Sequence, residues 1–203
     1  MKAMDGGVLL LAAGQSRRFG SQKLMYPLRM DSRRPAQPML GWTLETLRQV
    51  TPNLLVVTDA AQSNLIEYLE SQQVDYVLNQ QADQGLGTSL ATGIQAIKDQ
   101  WQFAMVALAD MPFILPETYS TLLNQASPKA IVVPEISLDD GKVKRGNPVV
   151  FGRNFFDELS QLNQDFGGKE IIREHQGAVI SVALDDRGVL QDVDLPKDVL
   201  NLG

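Results

Sequence analysis

Six apolar residues, Val8 to Ala13, stop at Gly14, and this break constrains the chain more than any other feature in it. A run of that length and composition is a strand buried on both faces. The residues that follow, Gly14-Gln15-Ser16-Arg17-Arg18-Phe19-Gly20-Ser21-Gln22-Lys23, hold two glycines, two serines and three cations. Glycine lets the backbone come close to a ligand, and Ser16 offers a hydroxyl. The chain as a whole carries a net charge of −6, so the cluster of Arg17, Arg18 and Lys23 is a local device. A buried strand that runs into free N–H groups and fixed positive charge suits a polyphosphate.

Two better-known phosphate loops do not match. The Walker pattern places four residues between its glycines and then Gly-Lys-Ser/Thr; here five separate Gly14 from Gly20, and Ser21-Gln22-Lys23 follows. The dinucleotide fingerprint Gly-x-Gly-x-x-Gly is also absent. The pattern Leu-Ala-Ala-Gly-x-Ser-x-Arg-x-Gly-x-x-Lys instead resembles the signature loop of the GT-A-like nucleotidyltransferases. Within them it is most similar to the MobA/MocA-like NTP transferases, which attach a nucleotide to molybdopterin, with Phe19 where that group commonly has Met. The resemblance implies nucleotide contacts from Leu11, Ala12, Ala13, Gly14, Gln15, Ser16, Arg17, Arg18 and Lys23. It gives Arg18 and Lys23 a catalytic role, neutralising the triphosphate and the leaving pyrophosphate.

Composition narrows the field around that loop. A chain of 203 residues reads as one domain, residues 1–203, large enough to bury a core without staples. The acidic balance argues against general binding to nucleic acid or to an anionic membrane. No cysteine is present, which removes disulfides, thiolate metal sites and cysteine nucleophiles and fits a cytoplasmic protein. His175 is the only histidine, so multi-histidine metal centres are excluded. Its place at the end of a helix-like segment suits contact with free helix carbonyls. No run approaches 18 apolar residues, and the first residues do not read as a signal peptide.

Strand-like and helix-like runs alternate. The strands are expected at Val8–Ala12, Asn53–Thr58, Asp75–Leu78, Phe103–Leu108, Ala130–Val133, Pro148–Phe151 and Ala178–Leu184. Helices are expected at Leu44–Val50, Gln62–Gln72, Thr88–Gln100, Glu117–Gln125, Phe155–Leu162 and Lys169–His175, with a closing helix over Lys197–Leu202. The alternation predicts an α/β fold with a mostly parallel mixed sheet flanked by helices; the resemblance makes it a GT-A-like, Rossmann-type domain. Ligands on such sheets sit beyond the carboxyl ends of the strands. Leu28–Pro38, basic and proline-rich, reads as an inserted loop or hairpin tip, and Leu138-Asp-Asp-Gly-Lys142 as a hairpin turn.

Later segments match the family in order. Gly85-Leu-Gly-Thr-Ser89-Leu-Ala-Thr-Gly93 resembles the segment that lies over the nucleotide base, which implies contacts from Gly85, Ser89 and Gly93; Thr88 and Ser89 are also placed to cap a helix. Leu108-Ala-Asp110-Met-Pro112 ends an apolar strand in a carboxylate, suited to Mg²⁺, and matches the family's metal-binding Asp-x-Pro. Asp192-Val-Asp194-Leu-Pro196 resembles a second metal motif whose second aspartate maps to Asp194. Gly146-Asn147-Pro148 resembles an acceptor-side motif, and Gly167-Gly168-Lys169, opening a helix, matches a further acceptor segment in part. A metal set of Asp110 and Asp194 and an acceptor set of Asn147, Pro148, Gly167, Gly168 and Lys169 follow from the resemblance. Asp110 belongs to the catalytic set too.

The implied reaction is transfer of a nucleoside monophosphate, CMP from CTP first and GMP from GTP second, to the phosphate of molybdopterin, with Mg²⁺ as cofactor and pyrophosphate as product. Ala13 stands where guanylyl-transferring members have a second glycine, which favours CTP. Another small phosphorylated acceptor is an alternative. So is a non-catalytic protein that binds molybdenum cofactor and passes it to a molybdoenzyme or its maturation factor. A glycosyltransferase on the same architecture would carry Asp-x-Asp after the central strand, where this chain has Asp110-Met-Pro.

Overall fold

The computed structural model describes residues 5–14, 22–163 and 167–194. In chain order its strands are β1 (Gly7–Leu11), β2 (Pro27–Leu28), β3 (Gln37–Pro38), β4 (Leu54–Asp59), β5 (Tyr76–Asn79), β6 (Phe103–Leu108), β7 (Ile131–Ser137), β8 (Val143–Arg145), β9 (Val149–Gly152) and β10 (Val179–Ala183). The helices are α1 (Met39–Val50), α2 (Ser63–Ser71), α3 (Leu86–Ile97), α4 (Pro116–Leu123), α5 (Phe156–Leu159) and α6 (Lys169–Glu174).

The apolar run at the start of the chain becomes the middle of the main sheet, whose strands follow the order β10-β7-β9-β6-β1-β4-β5, with β8 added beside β7. All five residues of β1 are buried. It pairs in parallel with β4 and β6, and β4 pairs in parallel with β5. Only β8 and β9 run against the others: β9 is antiparallel to β6 and β7, and β8 to β7. The α/β class and the mostly parallel mixed sheet are therefore as expected. Successive residues of β1 feed opposite faces, as a period of two requires. Val8 and Leu10 join the core under α1, α2 and α4. Leu9 and Leu11 join the core under α3, α5 and α6. Among the described residues no helix is long and apolar enough to cross a membrane.

Several boundaries differ from expectation, each for a local reason. Helix α1 begins at Met39, five residues before Leu44. Gly41 lies inside it because a Cβ there would stand 2.5 Å from the Tyr68 hydroxyl of α2, so the glycine serves packing. The expected helix over Phe155–Leu162 is a 3-10 turn, Arg153–Phe155, followed by the short α5. Strand β8 has no counterpart among the expected strands, because all three of its residues, Val143, Lys144 and Arg145, are exposed and carry no apolar alternation. The turn before it is as expected: the Leu138 N–H donates to the Lys142 carbonyl at 2.7 Å, and Gly141 takes φ +79°. The Leu28–Pro38 insertion is a hairpin, β2 pairing antiparallel with β3. It is docked on α1, where the Trp42 indole N–H donates to the Leu28 carbonyl at 2.8 Å. Arg34 lies 4.6 Å from the Trp42 ring centroid and pairs in bidentate fashion with Glu45 at 2.9 Å. His175 bonds the Glu158 carboxylate at 2.9 Å and packs edge-on to Phe155, so its ring does not serve the helix carbonyls. The closing helix over Lys197–Leu202 lies outside the described residues.

Candidate active site

Strands β1 and β6 end together, with Leu11 opposite Leu108, while β4 pairs with Leu11 at Val57 and runs on to Asp59. The ladder continues past these ends: the Ala12 N–H donates to the Val57 carbonyl at 2.8 Å, and the Ala109 N–H to the Leu11 carbonyl at 3.1 Å. Leu11, Ala12 and Ala13 are buried, so what they can offer a ligand is main chain. Gly14 is exposed, and among the described residues nothing stands within 4 Å of a Cβ built on it. Gln15, Ser16, Arg17 and Arg18 lie outside the described residues.

Lys23 opens a 3-10 turn, Lys23–Met25, fastened to the start of α1 by the Met39 N–H donating to the Tyr26 carbonyl at 3.0 Å. Its ammonium turns inward and donates to Asp110 Oδ2 at 2.8 Å and to Asp194 Oδ1 at 3.0 Å. Only 7% of Lys23 reaches solvent. Burial alone would pull its pKa down; the carboxylates of Asp110 and Asp194 outweigh that and raise it above the ordinary lysine value. The ammonium stays charged at neutral pH.

Asp110 is fixed from three sides. It is separated from the end of β6 at Leu108 by Ala109, whose carbonyl accepts the buried Thr43 hydroxyl of α1 at 3.3 Å. Its own carbonyl accepts the Val193 N–H at 2.9 Å, which brings the chain's later aspartates to it. That late segment is tethered upstream as well. The Asp186 carboxylate accepts from the Leu115 N–H at 2.9 Å, the Thr118 hydroxyl at 2.7 Å and the Gly188 N–H at 2.9 Å. The Val189 carbonyl accepts the Asn147 N–H at 2.9 Å. Val193 is fully buried, and the aspartates on either side of it turn toward Asp110. One carboxylate oxygen from each of Asp110, Asp192 and Asp194 lies within 4.8 Å of the other two.

This donor set fits a hard divalent cation. Two magnesium–oxygen bonds of ~2.1 Å reach across about 4.2 Å, so the three oxygens need only draw in slightly to share one ion. Sequence reasoning finds Asp110 and Asp194 and misses Asp192. The readable signal was the alternation Asp-Val-Asp, which puts both carboxylates on the side opposite a core valine.

The Gly85–Gly93 segment lies next to β5 but is built otherwise than expected. Helix α3 begins at Leu86, so Thr88 and Ser89 fall inside its first turn, and no side chain caps it. Gly85 precedes it at φ +118°, a conformation L side chains rarely adopt. The Thr88 hydroxyl reaches the Gly85 carbonyl at 2.8 Å. Ser89 is 3% exposed and accepts from the Asn79 amide at 3.0 Å. Asn79, which sequence reasoning overlooks, is the hub: its amide also donates to Thr88 Oγ1 at 2.9 Å, and its carbonyl oxygen accepts the Gln81 N–H at 2.9 Å. Gly93 faces the sheet, where a Cβ would come within 2.5 Å of Leu9 and 2.8 Å of Val57, so its position serves helix-on-sheet packing.

The acceptor-side residues divide. Asn147 is half-buried, is joined to the buried Pro148 by a cis peptide bond, and touches the Asp192–Asp194 segment through Val189. Gly167 and Gly168 approach from the other face: a Cβ on Gly167 would lie 3.6 Å from Leu86, and one on Gly168 2.6 Å from Phe151. The chain thus brings the opening of α6 beside the opening of α3, with Lys169 exposed at the first position of α6.

The comparisons with known proteins agree with this geometry. Rv0371c from Mycobacterium tuberculosis H37Rv shares the fold with a TM-score of 0.82 and 27% identity, covering 100% of this chain and 98% of its own. A structure of Rv0371c in complex with manganese superposes with a TM-score of 0.74 at 24% identity, over 97% of this chain and 96% of its own. The bifunctional protein GlmU of Pseudomonas savastanoi pv. phaseolicola is 27% identical over 162 residues, 78% of this chain. This chain spans only 32% of that relative's length. The MobA-like NTP transferase domain model matches residues 8–179, which take in the strand–loop start, Lys23, Asp110 and the Asn147 turn. The chain therefore belongs to the MobA-like NTP transferase family of nucleotidyltransferases.

Proposed function

We propose that this protein transfers CMP from CTP to the phosphate of molybdopterin or molybdenum cofactor, releasing pyrophosphate. The observation that carries the reading is the convergence of Lys23, Asp110 and Asp194 at the ends of β1 and β6. Main chain from Leu11 to Gly14, with Gln15, Ser16, Arg17 and Arg18, would cradle the triphosphate, and the Gly85–Ser89 turn would lie over the base. Asn147, Pro148, Gly167, Gly168 and Lys169 would hold the acceptor. An acceptor phosphate oxygen attacks the α-phosphorus, and the bond from that phosphorus to the bridging oxygen of pyrophosphate breaks. The nucleophile is already an anion, so no general base is required, and positioning with charge neutralisation carries the step. Magnesium, held by Asp110 and Asp194, would supply positive charge at the α-phosphate. That Rv0371c, of the same fold, crystallises with manganese supports a divalent ion in this role. CTP is placed before GTP because Ala13 stands where guanylyl-transferring members of the family have a second glycine; a difference of one methyl is worth only ~1–3 kcal/mol.

The test is pyrophosphate release from CTP, GTP, ATP and UTP with Mg²⁺, with and without molybdenum-loaded molybdopterin, for the wild type and Asp110→Ala. Release with CTP that depends on the pterin and disappears in the variant is the expected result. Preference for GTP would discredit the weight given to Ala13. Turnover only with other phosphorylated acceptors would reassign the acceptor side. Tight pterin binding without turnover would make the protein a cofactor carrier.

A further inference from the structure

Lys23 is held in a way that a phosphate-gripping lysine does not need. Its ammonium sits between Asp110 and Asp194, at 2.8 and 3.0 Å, and is almost closed off from water. Asp192 completes the cluster; it is exposed and among the described residues bonds to no other group. Three carboxylates so close repel one another, and the ammonium offsets that repulsion. A divalent cation needs the oxygens that the ammonium already engages. Entering alone, it must either sit beside a buried positive charge or push that charge out of its ion pairs with Asp110 and Asp194, and both are unfavourable.

We propose that Lys23 is the resident counter-cation of the Asp110–Asp192–Asp194 cluster in the free protein and yields the carboxylates to the metal only when a nucleotide triphosphate takes the ammonium. The inference rests on the reading of this cluster as the metal site. In the exchange no charge is left unpaired: the carboxylates pass from a monovalent to a divalent partner, and the ammonium passes to phosphate. Metal and nucleotide therefore bind as one unit. Asp192, the carboxylate without a lysine contact, is the first to meet the ion.

The experiment is Mn²⁺ binding to the full chain, followed by electron paramagnetic resonance, alone and with a CTP analogue whose α–β bridge is a methylene. Lys23→Met is expected to bind Mn²⁺ alone at least tenfold more tightly than the wild type, and Lys23→Arg, which keeps the charge, is not. The analogue should raise wild-type Mn²⁺ affinity at least tenfold and that of Lys23→Met far less. Asp192→Asn should weaken Mn²⁺ binding to the free wild type several-fold; no change would remove Asp192 from the entry step. Equal or weaker Mn²⁺ binding by Lys23→Met overturns the proposal, since the lysine would then merely hold the carboxylates in place. Lys23→Gln, also neutral, gives the same reading if the methionine variant does not fold. Full Mn²⁺ affinity in Asp110→Asn would instead overturn the metal-site reading itself, which separates the two failures.

Discussion

Replacing Gly146 by alanine should damage the site without touching any charged group in it. A Cβ at that position would stand 2.3 Å from the Val189 carbonyl oxygen and 2.9 Å from its carbon. The obstacle is main chain, so no rotamer change relieves it. An ordinary contact begins near 3.4 Å, so Val189 must retreat by about 1.1 Å. Gly146 cannot easily retreat in its place, because its N–H donates to the Pro134 carbonyl at 3.0 Å. The same Val189 oxygen accepts the Asn147 N–H at 2.9 Å, and that bond is lost in the shift. Losing one hydrogen bond costs about 1 kcal/mol. Overpacking adds roughly 1–3 kcal/mol. The sum, ~2–4 kcal/mol, lowers the melting temperature of a chain this size by roughly 4–16 °C. Because Val189 leads directly into Asp192 and Asp194, Mn²⁺ affinity should fall in the variant even where it is folded. Thermal unfolding by circular dichroism and Mn²⁺ titration measure the two effects. Gly177→Ala is the control, since among the described residues nothing lies within 4 Å of a Cβ there, and it should stay within about 0.5 kcal/mol of the wild type. A Gly146→Ala protein that melts within 1–2 °C (roughly 0.5 kcal/mol) of the wild type would refute the argument.

Gly93→Ala should destabilise by about 1–2 kcal/mol, because crowding against Leu9 and Val57 exceeds the ~1 kcal/mol gain in helix propensity; a change in KM for the nucleotide with unchanged melting would restore Gly93 to the nucleotide side. Gly14→Ala should leave melting unchanged and weaken nucleotide binding, which calorimetry with CTP reads directly. Asp186→Ala removes the acceptor of three hydrogen bonds, two of them from N–H groups, and should cost about 2–4 kcal/mol in denaturant unfolding. The Arg34 guanidinium holds the Glu45 carboxyl below its ordinary 4.5, so whatever this exposed pair contributes is present above that pH and fades as pH falls below it; equal acid sensitivity in Glu45→Gln would show that it contributes nothing.

The sequence makes legible whatever is local. The Val8–Ala13 run, the turn at Gly141 and the carboxylate ending β6 each follow from a few adjacent residues. What escapes it depends on partners far along the chain. Ser89 looks free to meet a ligand until Asn79 is found ten residues earlier, donating to its hydroxyl inside the core. Gly93 looks like part of a glycine-rich contact until the sheet beneath it is known. Asp192 and Asp194 could be matched as a motif, but only the bond from Val193 to Asp110 brings them to the strand end. Strand β8 leaves no apolar trace because both of its faces meet water.

The arrangement also explains why a chain with a net charge of −6 would need its basic residues where they are. Three carboxylates stand at the strand ends where a polyphosphate is proposed to bind, and phosphate oxygens there would meet like charge at short range. Lys23 alone cannot balance both the carboxylates and a triphosphate. In the proposed function the remaining positive charge would come from Arg17 and Arg18 and from the divalent ion itself. On this account the metal is the element that makes an acidic cleft receptive to an anionic substrate, and charge-neutral replacement of the carboxylates cannot substitute for it. Asp192→Asn with Asp194→Asn should therefore bind nucleotide without metal more tightly than the wild type while losing pyrophosphate release. Unchanged metal-free affinity in that double variant, read by calorimetry with CTP in the presence of a chelator, would show that the carboxylates do not face the phosphates.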